Sequence, residues 1–247
     1  MTLFNSVMIC DPVASSVEAS GIDEASVLLQ KFRRDINRIS DADRMTRKRG
    51  LQKLLEDLPW KVIKQKKSLE KLLNDHIVHL LIDGLADPVE KCRELTIALL
   101  SSSFAVIKSG PLIAGVVSKM IRSLCDRIND IPCSETAEEL RLQILELLKS
   151  IMKDESFIIF FGKNPTEVAD IILAAMSKEL LDTFPAAKRA CAEIVCAISE
   201  FSPLSVRMSF KPLLKSLIGN ATHQHSKTRS ATLQVIQFVS FNSRIHQ

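Results

Sequence analysis

Apolar residues recur at three- and four-residue spacing along most of the chain, in stretches that short polar turns introduce. After Arg93 they fall at Leu95, Ala98 and Leu99; after Lys188 at Cys191, Ile194, Val195 and Ile198; after Arg229 at Ala231, Val235 and Phe238. Residues so spaced line one stripe of an α-helix, which must be covered by another element. The turn ahead of each stripe also repeats. It holds an acidic residue or a histidine six positions before a basic one: Asp43 and Arg49, Asp87 and Arg93, Glu135 and Arg141, Asp182 and Lys188, His223 and Arg229. The first positions lie 44, 48, 47 and 41 residues apart. A period of about 40–47 residues is that of two-helix HEAT and armadillo units.

Each stripe is therefore the second helix of a hairpin. The first helices have starts of their own, because Pro111, Pro165 and Pro203 follow Gly110, Asn164 and Ser202. Proline suits the first helical position, where its missing N–H would be unpaired anyway. Asn164 and Ser202 are good caps, and Glu167 stands where a capping-box acid reaches back. The predicted fold is all-α: a right-handed α-solenoid of about five HEAT-type, armadillo-like repeats over residues 24–247. The units span about 24–58, 70–106, 111–153, 165–200 and 203–241, with "LEDLPWKVIKQKK" as a linker turning at Pro59. Residues 1–23, short of a basic region and rich in serine, read as a disordered leader and not as a signal peptide.

The repeated turn predicts a ladder. Its acid accepts from a backbone N–H at the start of the second helix, and its base reaches the acid of the adjacent unit. An exposed rung of this kind contributes about 1 kcal/mol or less. Apolar burial between units supplies most of the stability.

Composition agrees with helices. Seven glycines, no tyrosine and 5% aromatic residues do not suit a β-sandwich or barrel. Cys10, Cys92, Cys125, Cys133, Cys191 and Cys196 form no C-x-x-C pair. They read as buried thiols of a reducing compartment, not as a disulfide framework or zinc module. No run of apolar residues is long enough to span a membrane, and the expected location is the cytoplasm.

Charge is uneven. From Lys31 to Lys71 there are 14 Lys/Arg against 6 Asp/Glu, within a chain of net charge +4. The residues alone leave three readings of this basic block open: a solvated helix face with Arg49 in the ladder, a site for an acidic protein, or a nucleic-acid contact. The near absence of interleaved aromatics, only Phe32 and Trp60, weakens the last. Trp60 is expected to pack against the second unit.

Catalytic signatures are missing. There is no phosphate-binding glycine loop, no H-E-x-x-H and no G-x-S-x-G. His223 and His225 sit one residue apart but hold a turn position, and no Cys, Asp or Glu nearby in sequence completes a metal site. No catalytic, cofactor or metal residue is assigned, and an enzyme is not expected. The ending "TLQVIQFVSFNSRIHQ" stays apolar where a solenoid is normally capped by polar residues. It predicts a fragment or short isoform that self-associates or needs a partner there.

The stretches "DPVEKCRELTIALL", "EELRLQILELL", "LLDTFPAAKRACAEIVCAISEFSP" and "HQHSKTRSATLQVIQF" also resemble the HEAT-repeat axonemal dynein assembly factors, over about residues 25–240. The chain is similar to the N-terminal portion of those longer proteins. The resemblance implies a non-catalytic scaffold for cytoplasmic preassembly of outer and inner dynein arms, needed for motile cilia. It also implies contact with dynein intermediate and heavy chains, with other assembly factors and with co-chaperones. The alternative is a generic interaction solenoid, karyopherin-like or phosphatase-scaffold-like.

Overall fold

The computed structural model describes residues 24–60, 66–107, 113–130, 133–154, 157 and 165–245. The predicted leader, the start at Gly110 and Pro111, the cap Asn164 and Cys10 lie outside the described residues. Helices are the only regular structure among those described.

They pair as hairpins. The first is α1 (Glu24–Arg38) with α2 (Arg44–Asp57). In the second, α3 (Lys66–Leu72) runs through one π-helical turn (Leu73–Ile77) into α4 (Val78–Gly84), and α5 (Glu90–Ile107) returns. Then come α6 (Ile113–Ile128) with α7 (Glu138–Met152), and α8 (Pro165–Glu179) with α9 (Pro185–Phe201). The fifth has a divided first helix, α10 (Pro203–Met208) and α11 (Phe210–Ala221), before α12 (Ser226–Ile245).

The sequence pattern predicts one continuous helix from Pro203; the break at Ser209 has a local cause. Pro212 offers no N–H, and its ring collides with the carbonyl four residues back, that of Met208. The first helix therefore ends at Met208 and a second starts at Phe210.

Second helices stack in one layer, in the order α2, α5, α7, α9 and α12. First helices form the other, with α1 on α3, α4 on α6, α6 on α8, and α8 on both α10 and α11. This is an α-solenoid: each hairpin is covered by its neighbours and not by a common centre. One continuous apolar core runs between the layers, from Leu28 and Phe32 through Leu99, Ile121, Leu148, Ile172 and Ile194 to Leu217 and Val235. Trp60 packs against this core, and its indole N–H donates to Leu55 O at 2.9 Å.

Two predicted first-helix caps resolve differently. Ser202 makes no capping bond to the backbone, and its hydroxyl donates to Ser205 Oγ at 2.9 Å. Glu167 pairs across the layer with Arg122 on α6, so its carboxylate ties two hairpins together.

Candidate functional site

Among the described residues, five turns join first to second helices, and they open in the same way. At each, a side chain accepts from the backbone N–H two residues on. Asp41 Oδ1 accepts from Asp43 N at 2.8 Å, Asp87 Oδ1 from Val89 N at 2.8 Å and Glu135 Oε1 from Ala137 N at 3.2 Å. Asp182 Oδ1 accepts from Phe184 N at 2.8 Å, and His223 Nδ1 from His225 N at 3.1 Å. In four of the five, six positions after the acceptor, an arginine donates back through Nη1 to the carbonyl of its own turn. Arg47 reaches Asp41 O at 2.9 Å, Arg93 Asp87 O at 2.9 Å, Arg141 Glu135 O at 3.0 Å and Arg229 His223 O at 2.8 Å.

The rest of the guanidinium faces the next unit. Arg47 holds Asp87 in a two-pronged pair, Nε–Oδ2 at 2.6 Å and Nη2–Oδ1 at 3.0 Å. Arg93 holds Glu135 at 2.6 and 2.8 Å, and Arg141 holds Asp182 at 2.6 and 3.0 Å. Each arginine thus braces its own turn and clamps the following one. Only a planar, five-donor group can do both at once.

The first rung differs from the predicted one by two residues. Asp41 and Arg47 take the ladder positions, not Asp43 and Arg49. Asp43 caps α2 instead, accepting from Thr46 N at 2.8 Å. Both pairs have the required spacing, and helix phase decides between them. Arg47 is followed four and seven residues on by Leu51 and Leu54, which are buried, so its face of α2 meets α5. Arg49 lies about 200° further around the helix, followed at the same intervals by Lys53 and Glu56, and is exposed.

The fourth rung is also altered. Lys188 does not reach His223; its ammonium donates to Asn220 Oδ1 at 2.8 Å, while Asn220 Nδ2 donates to Leu180 O at 2.7 Å. A cation clamped on His223 would gain nothing, because the imidazole already spends Nδ1 as an acceptor. Burial first, then Lys188, His225 and Arg229, hold the His223 pKa below its usual value. His223 and His225 rings lie 5.2 Å apart, centroid to centroid. The pair closes a turn, and no group of three or more potential metal ligands occurs among the described residues.

Burial sets these ion pairs apart from ordinary surface bridges. The side chains of Arg93 and Glu135 are 9% and 1% exposed, those of Arg141 and Asp182 8% and 4%. For Asp87, Glu135 and Asp182, burial raises the pKa, but the clamping arginines and the turn N–H groups outweigh it and leave each below the ordinary carboxylate range. Arg127 adds a second, longer contact to Glu135 at 3.3 Å. Between units three and four, Lys149 also bridges Glu146 at 2.6 Å and Glu193 at 3.1 Å.

Beside the third rung lies Glu179, which the sequence pattern did not single out. It is buried, and that burial, with the charge of Asp182 close by, pushes its carboxyl up to about 7 despite Arg141. The described cysteines are free thiols. Burial raises Cys125 to about 12 and Cys133 and Cys196 to about 11, which keeps them protonated and unreactive. In the layer of second helices, a groove of about 400 Å³ runs between α5 and α7, lined by Ile97, Ala98, Leu142 and Leu147 with Glu94 and Glu146 at its rim.

Residues 38–246 match the family model described as "Dynein axonemal assembly factor 5-like, TPR repeats". The chain belongs to that family. Its ladder turns, at 41, 87, 135, 182 and 223, repeat at 41 to 48 residues, longer than the 34 of a tetratricopeptide unit and close to HEAT and armadillo lengths. Dynein axonemal assembly factor 5 of Xenopus laevis is 27% identical over 221 residues, 85% of this chain and 24% of that protein. The Mus musculus protein of the same name is 29% identical over 167 residues, 64% of this chain and 18% of its own length. The chain therefore spans about a quarter or less of these relatives. A designed armadillo repeat protein, solved with a (KR)4 peptide, superposes with a TM-score of 0.57 at 14% identity, covering 89% of this chain and 87% of its own. That likeness concerns the fold alone. No described helix is long and apolar enough to cross a membrane.

Proposed function

We propose that this chain is a non-catalytic scaffold for the cytoplasmic preassembly of outer and inner axonemal dynein arms, binding dynein intermediate or heavy chains together with other assembly factors and co-chaperones. The observation that carries the reading is the family match across residues 38–246, reinforced by relatives named dynein axonemal assembly factor 5. The architecture suits the role. Stacked hairpins present a long, rigid layer of second helices, and solenoids bind extended clients along such surfaces. The groove between α5 and α7 offers an apolar strip for an extended client segment, with Glu94 and Glu146 beside it already paired to Lys91 and Lys149.

Two measurements test it. Tagged chain expressed in ciliated cells should recover dynein intermediate or heavy chains from the cytosolic fraction. Expression in cells that lack the long family member should restore dynein arms on axonemes in part or in full. Recovery of a phosphatase catalytic subunit or a small GTPase in place of dynein would overturn the proposal.

A further inference from the structure

Between the turns of units four and five lies a cleft of about 430 Å³, and every titratable side chain that lines it is basic. Arg189 comes from α9, His225 from the turn into α12 and Lys227 from the start of α12. Phe184, Pro185 and Ala186 complete the lining with apolar surface. His225 and Lys227 are exposed and Arg189 is half-buried. None of the three has an acidic partner among the described residues. The acids nearest to Arg189 in sequence are committed elsewhere: Asp182 is held by Arg141, and Glu193, one turn along α9, by Lys149. Lys188 adds charge without cancelling any, because its ammonium rests on the neutral Asn220 amide. After burial, Lys188, His225 and Arg229 lower the His223 pKa, so the positive field extends along the turn.

The same edge of the solenoid has the opposite character further back. Helix α5 begins with Glu90 and α7 with Glu138 and Glu139, whereas α9 and α12 have no acid in their first turn. One boundary earlier, Glu138 also spans the gap between turns, accepting from Thr183 Oγ1 at 3.4 Å. Pro185 stands at the matching position of unit four and has no side-chain group to offer unit five. From Phe201 to Ser230 there are five Lys/Arg and no Asp or Glu. The charge of the cleft is therefore left unbalanced by the two units that form it.

We propose that this cleft binds a phosphorylated serine or threonine of a partner polypeptide. Charge selects the ligand. A phosphate monoester brings about −1.5 to −2 charges and three acceptor oxygens at pH 7, against one charge and two oxygens for a carboxylate. Arg189 offers a planar fork suited to two of those oxygens, Lys227 a mobile point charge and the His225 ring an N–H. Phe184, Pro185 and Ala186 give an apolar side chain next to the phosphorylated residue a surface to lie on. A single-stranded nucleic acid would need a succession of stacking rings, and Phe184 is the one carbocyclic ring at the cleft. The proposal does not depend on the dynein reading.

The probe is a fluorescein-labelled peptide, Gly-Ala-pSer-Leu-Ala-Gly, whose leucine matches the apolar lining. Titrated with the full chain to about 200 µM, a range that covers weak specific complexes, it should bind by fluorescence anisotropy, and its unphosphorylated twin should not. Arg189→Gln and Lys227→Gln should each weaken binding at least tenfold, about 1.4 kcal/mol. Both positions lie outside the ladder contacts, so the fold is kept. Lys215→Gln, at an exposed lysine of α11 outside the cleft, removes the same charge and should leave binding unchanged. Absence of binding would overturn the proposal, and so would equal weakening by Lys215→Gln, which would mean diffuse charge and no site. Three further results would also overturn it by naming another ligand. A glutamate in place of the phosphoserine that binds as tightly points to acidic sequence. Inorganic phosphate that displaces the peptide at equal concentration points to a free anion. A single-stranded oligonucleotide that binds more tightly, and is weakened by the same two variants, points to nucleic acid.

Discussion

At the scale of single residues, the ladder's energetics follow from its burial. Taking one member from a buried pair leaves an uncompensated charge, which costs about 3–5 kcal/mol, several times the loss of a surface bridge. Asp182 has Arg141 as its two-pronged partner, whereas Glu135 keeps Arg127 if Arg93 is lost. Arg141→Met should therefore lower the urea midpoint more than Arg93→Met does, and Arg49→Met should leave it unchanged. Comparable loss in Arg49→Met would put the first rung back at Asp43 and Arg49. The two-residue correction was legible in the chain: Arg47 is followed at ladder intervals by leucines, Arg49 by a lysine and a glutamate. Spacing within the turn could not separate the pairs, but the phase of the helix behind it does.

Glu179 carries a second residue-scale consequence. Its folded pKa, about 7, lies above the ordinary 4.5, so the folded state holds a proton that the unfolded chain releases between those values. Stability from this group is present below about pH 4.5 and is lost as pH rises to about 7, a change on the order of 3 kcal/mol. The ladder acids have depressed pKa values and act oppositely, losing their contribution only as pH falls below the ordinary carboxylate range. Glu179→Gln, which imitates the protonated acid, should flatten the stability profile between pH 4.5 and 7 and make the protein more stable than wild type at pH 7.5. An unchanged slope in denaturant titrations across that window would rule out Glu179 as its source. Nothing in the sequence marked this residue, because its perturbation comes first from burial, which only the packed fold supplies, with the charge of Asp182 three residues on adding to it.

At the scale of the element, helix existence was read from apolar spacing, while breaks and close approaches needed three dimensions or finer local chemistry. The division at Ser209 belongs to the latter, since Pro212 announces it. The approach of α1 to α2 belongs to the former. A Cβ on Gly50 would lie 2.7 Å from Arg38 Cβ and 2.8 Å from Asp35 O, too close for either helix to stay in place. On Gly84 it would meet Thr96 Oγ1 at 3.1 Å, and on Gly219 nothing within 4 Å. Alanine at the three positions should produce a graded series in thermal melts. Gly50→Ala destabilises by about 1–3 kcal/mol through overpacking, and Gly84→Ala by less. Gly219→Ala stabilises by roughly 0.5–1 kcal/mol, from helix propensity with no steric opposition. Gly50→Ala without loss of stability would mean that the two helices can move apart freely, contrary to the tight hairpin described.

At the scale of the whole molecule, cooperation between hairpins is carried by the faces that stack them. In a linear array, stability is a sum of unit terms and nearest-neighbour terms, so one weakened interface divides the chain without unfolding either side. The boundary between units three and four is the most informative to cut, because Arg141 with Asp182 and Lys149 with Glu193 both cross it, with Leu145 fully buried beside them. Leu145→Ala removes apolar contact and leaves a cavity, a loss of about 2–5 kcal/mol. If nearest-neighbour coupling holds the solenoid, hydrogen exchange should then show two blocks, α1–α7 and α8–α12, with protection falling unequally between them and the denaturant transition broadening. A globular core shared by all helices would instead lose protection uniformly and keep a single sharp transition. The test separates the two because only a stacked array gives each interface its own address in the sequence.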